Sequence, residues 1–190
     1  RYSTCTSINH VVCHGMPGDR VLKEGDIVNI DVTFIVDGWY GDSSRMYVIG
    51  PIARKAERLI EVTYEAMMRG IAAVKPGATT GDIGHAIQSF VEPQGMSVVR
   101  DFCGHGLGRM FHDRPNILHY GEPGEGPVLE PGMLFTIEPM TAAVTMAGLS
   151  RQIDVQPAVA VGMGAGFDSV HDSGGGSIAG EPSAARSDRG

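Results

Sequence analysis

Residues 25–50, GDIVNIDVTFIVDGWYGDSSRMYVIG, contain two alternating runs joined at Asp37-Gly38, a dipeptide that favours a tight hairpin loop. With Asp37 and Gly38 as the loop, Val36 pairs with Trp39, Thr33 with Asp42 and Asp31 with Ser44. Ile30, Val32, Phe34 and Val36 then share one face, and Asp31, Thr33 and Ile35 the other. Asp31 and Asp42 become diagonal neighbours, with Cα atoms roughly 7–8 Å apart. Carboxylates held that close repel unless a cation or a proton lies between them. The hairpin alone leaves a second reading open, an edge hairpin with solvated acids.

Three further stretches carry candidate side chains. His105, in CGHGLGRMFH, is flanked by Gly104 and Gly106, so little bulk keeps a metal or substrate away from its ring. His112 closes the same stretch and can face the same cleft. Glu138, in FTIEPM, ends an apolar strand, where a carboxylate is costly to bury unless paired or ligated. His14, in VVCHGMPGD, precedes a turn and can point into a pocket. Asp, Asp, His and Glu make an oxygen-rich ligand set suited to divalent Mn, Fe, Co or Zn. Such ions activate water and polarise a peptide carbonyl, which makes hydrolysis the natural reaction class.

The formal net charge of −7 argues against nucleic acid or an anionic membrane as partner. Cys5, Cys13 and Cys103 are odd in number and lack zinc-type spacing, so reduced thiols in the cytoplasm are expected. No run of about 18 apolar residues and no charged-then-apolar leader is present, so neither a membrane span nor a signal peptide is expected. Apolar spacing predicts one helix over 53–74 and another over 80–91, the second capped by Thr79 or Thr80 with Asp82 in its first turn. Short strands are expected over 96–100 and 133–140, with a loop over 101–116. From Thr141 onward Ala, Gly, Val and Ser dominate without periodicity, so 141–190 is expected to be a poorly ordered tail.

Together STCTSINHVVCHGMPGD, GDIVNIDVTFIVDGWYGDSSRMY, CGHGLGRMFHDRPNILHY and LEPGMLFTIEPM closely resemble type I methionine aminopeptidase, in order and in spacing, over nearly all of Tyr2 to Met140. The resemblance implies an α/β (α+β) pita-bread creatinase/aminopeptidase fold: a pseudo-two-fold antiparallel sheet with outer helices, here over residues 1–140 and incomplete at both ends. It implies a monomeric cytoplasmic enzyme with two divalent metal ions, acting near the ribosome on the N-termini of nascent polypeptides. Its reaction is removal of the initiator methionine when the next residue is small. Carried over by motif, Asp31, Asp42, His105 and Glu138 are metal ligands, with Asp42 bridging. His112 stabilises the oxyanion, His14 holds the amide or amine side of the substrate, and Glu138 shuttles a proton. Cys5, Phe111 and Tyr2 line a methionine pocket.

The chain departs from that family after Met140. The family's second bridging glutamate, in a QxEHT-like strand, and its nearby tryptophan have no counterpart in the tail, whose one glutamate, Glu181, lacks an apolar strand around it. A shift of coding frame near residue 140 fits this abrupt change. With one bridging carboxylate fewer, a single metal, a bare sheet edge and weak or absent activity are expected. Two rival readings remain: a proline-specific (Xaa-Pro) peptidase of the same fold, and a non-catalytic pita-bread binding protein.

Overall fold

The computed structural model describes residues 3–143, and the backbone of 154–155 and 158–162. Its strands are β1 (Thr4–Ile8), β2 (Ile27–Val36), β3 (Trp39–Val48), β4 (Ser97–Val98), β5 (Gly104–Gly106), β6 (Asp113–Ile117), β7 (Leu134–Ile137), β8 (Thr141–Ala142), β9 (Asp154–Val155) and β10 (Ala158–Gly162). Two helices, α1 (Arg54–Ala72) and α2 (Thr80–Val91), lie between β3 and β4 in the chain. Seven strands form one sheet in the order β1-β2-β3-β10-β7-β5-β6, and β4, β8 and β9 form a small second one. Every pairing among them is antiparallel.

The β2–β3 hairpin has the register read from its turn, with Val36 opposite Trp39, Thr33 opposite Asp42 and Asp31 opposite Ser44. Asp37 (φ 51°) and Gly38 (φ 78°) both occupy the left-handed region, as a two-residue loop matching the strand twist requires. Alternation sorts the two faces in an unusual sense. Asp31 and Thr33 turn toward a cleft, whereas Val32, Phe34 and Val36 remain exposed.

Both helices bury one stripe. In α1 the spacing predicts a stripe of Ala56, Leu59, Ile60, Thr63, Met67 and Ile71; all are buried except Ile60, which is partly so, and Val62, Ala66 and Gly70 join them. α2 starts with a reciprocal cap: the Thr79 hydroxyl accepts from the Asp82 N–H, and the Asp82 carboxylate accepts from the Thr79 N–H at 2.7 Å. The stripes meet β7 and β6 in a core that includes Leu59, Ile83, Ile87, Ile117, Phe135 and Ile137.

Three expectations need correction. The stretch 101–116, read as a loop, contains β5 and the start of β6. A Cβ at Gly104 would overlap the Thr136 carbonyl, and one at Gly106 the Arg114 carbonyl, so these glycines admit the backbone between two neighbouring strands. The strands expected over 96–100 and 133–140 shrink to Ser97–Val98 and Leu134–Ile137, and Pro139 has no N–H to extend the second. The bare sheet edge expected after Met140 is absent: β10 lies inside the sheet, pairing Val159 with Ser43 on one side and Ile137 on the other. Its AVAVG sequence lacks polar-apolar alternation, which is why a period-two reading passes over it. The expected poor order of the tail concerns residues that otherwise lie outside the described ones, as does Tyr2. No helix among the described residues is long and apolar enough to cross a membrane.

Candidate metal centre

The hairpin's acid face, β5 and the end of β7 converge on a cleft of about 760 Å³. Asp31, Asp42, His105 and Glu138 all line it, as do His14, His112, Cys5 and Phe111, so eight of the residues singled out in the sequence meet in one place. Asp42, His105 and Glu138 each offer a ligand atom, and these three atoms lie within 4.8 Å of one another. His105 Nε2 stands 3.5 Å from Asp42 Oδ2 and 3.6 Å from Glu138 Oε1. Asp31 is not one of this close trio, but lines the cleft beside Asp42.

Local structure explains how His105 reaches the trio. The β5–β6 register shifts between His105 and Gly106, an irregularity of the kind that re-aims a side chain beside a site. His105 Nδ1 lies 2.9 Å from the Gly106 carbonyl. A carbonyl only accepts, so Nδ1 carries a hydrogen and Nε2 is the nitrogen that faces the acids, free to ligate a metal once its own proton is lost.

The electrostatics of the cleft are those of an acid cluster short of positive charge. Burial, followed by the Asp42 charge and their shared hydrogen bond, pushes Asp31 up to about 6, with His105 opposing. Burial also raises Glu138 to about 7, against the Thr136 hydrogen bond and His105. For His105, burial opposes the charged form, but its hydrogen bonds to Asp42 and Gly106 and the surrounding negative charge raise its pKa overall. Asp31 Oδ1 is buried with no hydrogen-bond partner. An orphaned carboxylate oxygen, two acids holding protons above their ordinary range and an imidazole nitrogen aimed at the cluster fit a divalent cation.

This arrangement sets a sign for proton linkage. Asp31 and Glu138 bind protons in the folded, metal-free chain up to about pH 6–7, so a cation entering there must displace them. Manganese(II) binding is therefore expected to release protons at acidic pH, and progressively fewer per ion as the pH rises through about 6 to 7. Titration calorimetry in buffers of different ionisation enthalpy checks this; heats independent of buffer would contradict it.

Around the trio stand the other predicted residues. His112 is 4.5 Å, ring to ring, from His105 and 4.1 Å from Phe111, which stacks on Tyr40. Burial and the His105 charge lower the His112 pKa, favouring its neutral, hydrogen-bond-donating form. His14 has φ 54°, rare for a residue with a side chain, and its ring meets the edge of Phe102. Its loop is pinned: Thr6 N–H donates to the Gly15 carbonyl at 2.7 Å, and Asp26 accepts from the Asn9 side chain at 2.7 Å and from Lys23 N–H at 3.0 Å.

Two residues near the trio escaped sequence reading. Thr136, two positions before Glu138 in β7, shares its face and could have been found from period-two alternation. His119, fully buried, accepts from the Glu138 N–H at 3.1 Å, and burial drives its pKa down to about 3. Nothing local marks it, because its partner lies nineteen residues away.

Comparison with known proteins agrees with this geometry. Residues 1–175 match metallopeptidase family M24, well past the Met140 boundary suggested by the motifs. The chain belongs to this family. Methionine aminopeptidase of Rickettsia prowazekii is 65% identical over 152 residues, covering 80% of this chain and 59% of that protein. The Escherichia coli K12 enzyme is 54% identical over 142 residues, 74% of this chain and 54% of that one. The chain thus spans little more than half the length of these relatives. Among solved structures, the Rickettsia prowazekii methionine aminopeptidase superposes with a TM-score of 0.80 at 54% identity, covering 85% of this chain and 70% of that one. The Pyrococcus horikoshii prolidase, at 23% identity and a TM-score of 0.70 over 86% of this chain and 45% of that one, shares the fold alone. An M24 chain with these neighbours has the pita-bread α/β fold expected from the motifs.

Proposed function

We propose that this M24 chain is a metal-dependent methionyl aminopeptidase, acting on the N-termini of nascent polypeptides whose second residue is small. The observation carrying this reading is the trio of Asp42, His105 and Glu138 within 4.8 Å, in a cleft shared with His14 and His112. Asp31, Asp42, His105 and Glu138 would hold the metal, which when bound supplies Lewis acidity and an activated water.

The chain's own groups account for the remaining chemistry. Neutral His112 donates a hydrogen bond toward the substrate carbonyl oxygen, where negative charge develops. His14, fixed by its strained backbone, takes the amide or amine side. The Glu138 carboxyl accepts a proton and returns it to the leaving amine. Cys5 and Phe111 offer a soft, apolar surface to a thioether.

The methionine reading is supported over a proline-specific one by the 65% and 54% identities to methionine aminopeptidases, against 23% to a prolidase. A non-catalytic binding protein would have no chemical need for an acid-imidazole trio. Among the described residues no second glutamate joins that trio, so we expect one tightly held ion and a second held weakly. Incubating the chain with manganese(II) and the peptides Met-Ala-Ser and Gly-Pro-Ser tests the reading. Release of methionine from the first, slow but metal-dependent, is expected. Cleavage only beside proline, or no binding of metal at all, would overturn it.

A further inference from the structure

Thr136 is completely buried and touches two of the proposed ligands at once. The His105 N–H donates to its Oγ1 at 3.0 Å, and that oxygen lies 2.5 Å from Glu138 Oε1. An amide N–H only donates, so a lone pair of the hydroxyl oxygen receives His105, and the hydroxyl proton is left to donate to Glu138 Oε1. One hydroxyl therefore ties the backbone of β5 to a side chain that follows β7. The oxygen it holds is the same Oε1 that faces His105 Nε2 at 3.6 Å.

A second anchor acts on the backbone of Glu138. β7 ends at Ile137 and Pro139 has no N–H, so the Glu138 N–H leaves the ladder, where His119 Nε2 accepts it at 3.1 Å. Glu138 is thus fixed at its main chain by an imidazole and at its carboxylate by a hydroxyl, both on fully buried side chains. Groups that fix metal ligands from behind lower the reorganisation needed when the ion arrives.

We propose that Thr136 is a positioning residue that presets His105 and Glu138 for one divalent cation, with His119 holding the main chain of Glu138. This rests on the metal-site reading above and adds to it a requirement for the hydroxyl. Valine matches threonine in shape but lacks that group, and serine restores it.

Manganese(II) titration of the metal-free chain, followed by the EPR signal of free ion, tests this alongside circular dichroism to establish folding. Thr136→Val is expected to bind manganese about 10–100-fold more weakly, and Thr136→Ser within about threefold of the unsubstituted chain. If the valine variant does not fold, Thr136→Ala also removes the hydroxyl without adding a methyl in its place. A folded valine or alanine variant that binds as tightly as the unsubstituted chain would overturn the positioning role and leave the metal site standing. An unsubstituted chain that takes up no manganese would overturn both.

Discussion

His105→Ala is expected to abolish tight metal binding and metal-dependent peptide release together. The imidazole sits 3.5 Å from Asp42 and 3.6 Å from Glu138, and supplies the one nitrogen of the trio. Losing the ion forfeits several kcal/mol of charge stabilisation in the transition state, a rate loss on the order of a thousandfold. Alanine also leaves Asp31, Asp42 and Glu138 facing one another without the His105 charge that lowers the pKa values of Asp31 and Glu138. The metal-free variant should therefore hold its protons to higher pH. Peptide-release assays with added manganese, and proton uptake followed by carboxyl NMR shifts, check both statements. A variant that retains a third or more of the original rate would contradict them.

Phe135→Ala is expected to produce the largest loss of stability. Phe135 is fully buried in β7, opposite Val161 of β10 and Gly106 of β5, in the strand that carries Thr136 and leads directly into Glu138. Truncating a buried phenylalanine costs about 3–5 kcal/mol, against a total of about 5–15 for a folded domain. Val36→Ala, at an exposed position near the hairpin tip, should stay within about 0.5 kcal/mol. Urea unfolding of both variants measures the difference. Equal midpoints would mean that β7 is not central to the core.

What could be read from sequence follows the range of the interactions involved. The hairpin register was legible because Asp37-Gly38 and strict alternation act over a few residues, and the α2 cap because Thr79 and Asp82 are three apart. The metal trio was legible only by combining separate motifs, since Asp42, His105 and Glu138 come from β3, β5 and the end of β7. β5 was read as loop because its glycines signal flexibility locally but serve close packing here, a distinction set by Thr136 and Arg114. His119 and β10 were missed for the same reason. The imidazole's partner is distant in sequence, and β10 is paired by β3 and β7, neither adjacent to it in the chain. Even the apolar stripe of β2 misleads if taken as core, because Val32, Phe34 and Val36 are exposed while Asp42 is buried.

His105 and the neighbouring carboxylates are proposed to share one divalent ion. Pulsed EPR of the chain loaded with one equivalent of manganese(II) tests it by detecting nitrogen bound to the ion. A single imidazole nitrogen coupling is expected, and it should vanish in His105→Ala. Bound manganese with no nitrogen coupling, or a coupling that survives the substitution, would contradict it.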